Sequence, residues 1–113
     1  MRLKHVTRFV AAGLAVLALS AAGPVQKAPK PQTHSVTIDA SSFQPDYLAV
    51  NTGDTIVWTN RDFFPHTVTA ANGSFDSKDI APGKSWKYIV RTRGTFDYKC
   101  AYHPTMKGVL KVK

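Results

Sequence analysis

The sequence predicts an all-β domain, an antiparallel sandwich or small barrel of about seven strands. Three observations carry this expectation. All seven acids among the 113 residues are Asp, so Glu, a good helix former, is missing, while Thr, Val, Tyr and Phe are plentiful. Short runs that alternate apolar and polar residues follow one another, separated by Gly, Pro, Asn and Asp. No apolar 3.6-residue repeat persists for a dozen residues, so no long helix is expected.

The first segment is set apart from the fold. Arg2, Lys4 and Arg8 precede a small-apolar run, Phe9–Leu19, and Ser20-Ala21-Ala22 then offers the small residues a signal peptidase needs. Residues 1–22 therefore read as a cleaved secretory signal peptide. The run is too short for a membrane anchor, which needs about 20 apolar residues. Residues 23–33, with Pro24, Pro29 and Pro31, read as an extended linker. The remaining 34–113 form the domain, and one domain is all that this length allows.

Within the domain, Ser35–Asp39 alternates with Val36 and Ile38 on one face. Tyr47–Val50 pairs Leu48 with Val50, the turn Asn51–Asp54 follows, and Thr55–Asn60 aligns Ile56 with Trp58. His66–Thr69 reads as a short strand. Asn72-Gly73 and Pro82-Gly83 are turn signals. Lys84–Arg91 puts Trp86, Tyr88 and Val90 on one face, and Thr95–Cys100 does the same for Phe96, Tyr98 and Cys100. Gly108–Lys113 closes with Leu110 and Val112 together.

Charge and cysteine usage narrow the function. Loss of the signal peptide removes three of the 15 basic residues and leaves 12 against seven acids, a net charge of +5. These charges are scattered rather than gathered in a stripe with aromatics between them, which argues against nucleic acid as a partner. The chain has one cysteine, Cys100. A lone cysteine in an exported protein has no internal disulfide partner, so it is a buried bystander, half of an intermolecular bridge or a working thiolate.

The stretch from Cys100 through His103 to Met106 favours the last of these. It sets a thiol, an imidazole and a thioether at three-residue intervals in a loop between two strands, where such an arc can converge on one point. His66, upstream, supplies a second imidazole. Two nitrogens, a thiolate and a weak thioether suit copper, whose two oxidation states need both soft and nitrogen ligands. Zinc gains little from a thioether, and an iron–sulfur cluster needs about four cysteines. His34 and His5 are expected to be bystanders. A Cys100–His103 catalytic pair finds no substrate cleft in so small a chain.

With these residues in view, the sequence resembles the cupredoxins, the type 1 blue copper proteins, and most closely their short amicyanin- and plastocyanin-like members. The resemblance runs from about Ser35 to Val112. It includes Phe43-Gln-Pro45, Val50–Asn60, Pro65-His66-Thr67-Val68, Gly94–Cys100 and the closing Cys100-x-x-His103-x-x-Met106-Lys-Gly108. It implies a Greek-key sandwich of two sheets and seven or eight strands around one type 1 copper ion. His66, Cys100 and His103 would be equatorial ligands and Met106 the axial one. It implies an electron carrier and not an enzyme. The alternative is a periplasmic copper carrier or scavenger, although such proteins often use Met-rich tracts that this chain lacks.

Two positions depart from the family pattern. Thr67 stands where Asn often helps tie the ligand loops together. Tyr102 stands where amicyanins have Pro, and its restored backbone N–H is expected to bond the Cys100 sulfur and raise the reduction potential. Phe63, Phe64, Pro65, Tyr102 and Pro104 are expected to form an apolar rim around the His103 edge, suited to brief docking of redox proteins. Lys99 and Lys107 are placed to attract acidic partners. A periplasmic monomer without stable membrane insertion is expected.

Overall fold

The computed structural model describes residues 29–113 together with Lys4, Ala12, Gly13, Ala15 and Gly23. Most of the signal peptide expected over 1–22, and most of the linker, therefore lie outside the described residues. The described residues form eight strands: β1 Thr33–Asp39, β2 Ser42–Gln44, β3 Tyr47–Val50, β4 Thr55–Asn60, β5 Thr69–Ala70, β6 Ser85–Ile89, β7 Gly94–Lys99 and β8 Lys107–Val112. They make two four-stranded sheets, ordered β2-β1-β4-β6 and β3-β8-β7-β5.

The period-two alternation seen in the sequence becomes the inner faces of this sandwich. Val36, Ile38, Phe43, Ile56 and Trp58 point inward from the first sheet, and Val50, Ala70, Tyr98, Leu110 and Val112 from the second; all are buried. Burying each large apolar side chain is worth about 1.5–3 kcal/mol, which makes this face the main stabilising element. Trp58 is fully buried and stacks obliquely on Trp86 at 5.5 Å, with Tyr98 edge-on at 5.7 Å.

Three features differ from the expectation. The sheets are mixed, because β1 runs parallel to β4 and β3 parallel to β8. Alternation marks which face is buried but carries nothing about the direction of the neighbouring strand. The strand expected over His66–Thr69 shrinks to an isolated bridge, His66 to Ile80, followed by the two-residue β5. Strand β2, missing from the sequence reading, forms a hairpin with β1 in which Asp39 faces Ser42. Its two-residue turn, Ala40-Ser41, has φ values of 49° and 52°. This is the left-handed pair that a tight hairpin requires, made without the usual Asn or Gly.

Candidate metal centre

Both sheets send their ends to one place. β4 stops at Asn60, whose buried side chain organises the next five residues. Its amide donates to the carbonyls of Phe64 (2.7 Å) and Ile80 (2.9 Å), and its Oδ1 accepts the Asp62 N–H (2.9 Å). His66 follows, held by paired backbone bonds with Ile80 of 3.2 and 2.7 Å. β7 ends at Lys99, so Cys100 is the first residue of the closing loop. That loop is stapled at its base, where the Cys100 N–H donates to the Met106 carbonyl at 3.1 Å. It is stapled again inside, where the Met106 N–H donates to the His103 carbonyl at 2.9 Å. The three-residue spacing thus becomes a compact arc.

The arc meets His66. Ligand atoms of His66, Cys100 and His103 all lie within 4.8 Å of one another. The Cys100 sulfur stands 3.7 Å from His66 Nδ1 and 3.8 Å from His103 Nδ1. His66 and Cys100 are fully buried, Met106 is buried at the foot of the loop, and His103 is half-buried. Two imidazole nitrogens and a sulfur that face one another in a dry setting are the donor set that suits copper, so the residues present fit that ion. His34 takes no part. It bonds Asp54 Oδ2 at 2.8 Å, across the first sheet.

Thr67 ties the two ligand segments together. Its N–H donates to the Cys100 sulfur at 3.4 Å, and its hydroxyl accepts the Ala101 N–H at 2.8 Å. The expectation for Tyr102 is corrected. Among the described residues, the backbone N–H bonded to the sulfur is that of Thr67, not that of Tyr102. The Thr67 N–H already reaches the sulfur at 3.4 Å from the His66 segment, while the half-exposed Tyr102 sends its hydroxyl to the Asp79 carboxylate. That bond raises the Tyr102 phenol above its ordinary value.

Phe64, Pro65, Tyr102 and His103 line one shallow apolar depression. Phe63 is 93% exposed and Phe64 65%, so both aromatic rings face solvent. Pro104 lies on a separate depression with Lys99 and Lys107, which are direct cross-strand neighbours. The sequence reading passed over Asp62, whose carboxylate is 2.8 Å from His66 Nε2. Burial pushes Asp62 up, but the Ser41 and Ala40 N–H groups and His66 outweigh it and hold the carboxyl below the usual range. An acid four residues before a candidate ligand histidine was the available signal.

A family model for a cupredoxin-like domain matches residues 9–112. The chain is a cupredoxin. This cupredoxin is 33% identical over 104 residues to amicyanin-alpha of Methylorubrum extorquens, a match that covers 88% of this chain and 87% of that protein. It is 31% identical over 84 residues to plastocyanin of Scenedesmus fuscus, covering 63% of this chain and 86% of that one. Its fold resembles that of a solved, oxidized variant of amicyanin with a TM-score of 0.67 and 27% identity, over 71% of this chain and 81% of that one.

Proposed function

We infer that this cupredoxin is a small blue copper protein that carries single electrons between redox partners and is not an enzyme. His66, Cys100 and His103 would hold its one copper ion, with the Met106 thioether as a weaker fourth donor. The observation that carries the reading is the convergence of two Nδ1 atoms on the Cys100 sulfur at 3.7 and 3.8 Å. Copper, when bound, supplies the one-electron couple between Cu(II) and Cu(I).

The chain's own residues do the rest. Burial of His66, Cys100 and Met106 keeps these three side chains away from water. Thr67 and the backbone staples of the closing loop restrain both ligand segments, so that a change of charge meets a stiff frame. The Thr67 N–H offsets part of the negative charge on the sulfur. His103, half-buried at the depression formed with Phe64, Pro65 and Tyr102, is the exit towards partners. Such a small apolar contact suits complexes that form and part quickly. Residues 1–22 act as an export signal, 23–33 as a linker and 34–113 as the copper domain, which works in the periplasm as a monomer. The composition of the first 22 residues supports this reading.

The test is the addition of Cu(II) to the purified protein. An intense blue thiolate-to-copper band is expected, and Cys100→Ser should abolish it. Reversible reduction without loss of copper marks an electron carrier. Release of the ion on reduction would mark a metal courier and overturn the reading.

A further inference from the structure

His66 has two ring nitrogens, and the structure gives each a separate task. Nδ1 faces the Cys100 sulfur at 3.7 Å, while Nε2 faces Asp62 Oδ2 at 2.8 Å. An ionised carboxylate only accepts hydrogen bonds, so Nε2 must carry the ring proton. In the neutral ring that leaves a lone pair on Nδ1, which is the atom turned towards the other metal donors.

Asp62 is itself held firmly. Its Oδ1 accepts the Ala40 N–H at 2.7 Å, its Oδ2 accepts the Ser41 N–H at 2.8 Å, and its own N–H donates to Asn60 Oδ1 at 2.9 Å. The carboxylate therefore bridges the β1–β2 turn and the buried imidazole, while the Asp62 backbone is tied to the end of β4. We propose that Asp62 is a positioning residue for the metal centre, which fixes the tautomer and orientation of His66 and is braced for that task by the Ala40-Ser41 turn.

A bland rival exists, in which Asp62 only caps a turn whose two central residues are left-handed. The two roles predict different results. Replacing Asp62 by Asn leaves the volume unchanged but puts one donor group where two acceptor oxygens were needed. The amide cannot accept from Ala40, Ser41 and His66 together, so the ring proton is free to move to Nδ1. Replacing the turn by Ala40→Asn with Ser41→Gly makes the hairpin self-sufficient.

The experiment compares the wild type, Asp62→Asn, the turn variant, and Asp62→Asn in the turn variant. It rests on the metal reading above, so one readout is taken without metal. Ring 15N shifts of the metal-free wild type should report His66 protonated at Nε2, and Asp62→Asn should give a mixture of tautomers. Copper affinity, by competition with a chelator, should weaken roughly 10–100-fold in Asp62→Asn. The reduction potential should rise, because a negative charge that favours Cu(II) is gone. Both losses should persist in the turn background, while the turn variant alone matches the wild type. Wild-type tautomer, affinity and potential in Asp62→Asn, or full recovery on changing the turn, would overturn the proposal. A wild type that takes up no copper would sink the metal reading, and the ring shifts would then decide the role of Asp62 alone.

Discussion

A single missing side chain allows the two downstream strands to pack. Gly108 sits directly across from Tyr98, and a Cβ at Gly108 would lie 2.2 Å from the Tyr98 ring. The ring has nowhere to retreat. Tyr98 is buried and edge-on to Phe43 at 4.7 Å and Trp58 at 5.7 Å, and its hydroxyl accepts a 3.4 Å bond from the Trp58 indole. The same burial raises its phenol to about 12. Gly108→Ala should therefore destabilise the metal-free protein by about 1–3 kcal/mol, the usual cost of overpacking a tight core. Urea unfolding at constant slope checks this, and a wild-type midpoint would show that the sheet can shift. Because Met106 precedes Gly108 by two residues, the copper-bound variant should also show a displaced blue band.

At the scale of elements, buried carboxylates do what the strands cannot do alone. Asp54 lies in the turn before β4. Its carboxylate accepts the Gln32 N–H at 2.9 Å, the Asn51 N–H at 3.0 Å and a bond with His34 of 2.8 Å. It thereby fastens the entry of β1 to the β3–β4 turn. Burial raises its pKa, but those bonds prevail and leave it below the ordinary carboxylate value. A lowered folded value means that the stabilisation is complete above the unfolded pKa of about 3.9 and is lost as pH falls through the folded value. The stability gap between wild type and Asp54→Asn should be widest near neutral pH and should close on acidification below about pH 4. Denaturation curves of the metal-free proteins measure it, and a gap that is constant with pH would assign the effect to packing rather than charge. The β1–β2 hairpin follows the same logic. Its turn carries no Asn or Gly, and the Asp62 carboxylate that supports it arrives from the end of β4. That is why β2 was not legible locally.

For the whole molecule, the proposed site would couple metal binding to the fold. In the proposed site the donors are His66, Cys100, His103 and Met106, so an ion held by all four would join the segment after β4 to the β7–β8 loop. An unfolded chain has no such meeting point. Copper at a thousand times its dissociation constant should then stabilise the native state by about 4 kcal/mol, less whatever affinity the unfolded cysteine and histidines retain. Removing the ion should lower the thermal midpoint on the order of 15 °C or more for a domain of this size. Scanning calorimetry with and without copper tests this. Equal midpoints would mean that the ion binds outside the native site.

Much of the centre was legible in the sequence because it is written in short intervals. Cys100, His103 and Met106 fall within one loop, the only cysteine is among them, and residue chemistry alone selects the ion. The buried faces of β1, β3, β4, β6, β7 and β8 were equally legible, because period-two alternation is a local property of a half-buried strand. Other features depended on contacts between distant residues. They include the parallel pairing of β1 with β4 and of β3 with β8, the reduction of the His66 strand to a bridge, and the hairpin held by Asp62. They also include the choice of Thr67 over Tyr102 as the sulfur's N–H donor. Local sequence specifies which side chains seek burial and which atoms can bind a metal. Direction, register and hydrogen-bond partner are set only when the sheets close and each polar group takes the nearest satisfying neighbour.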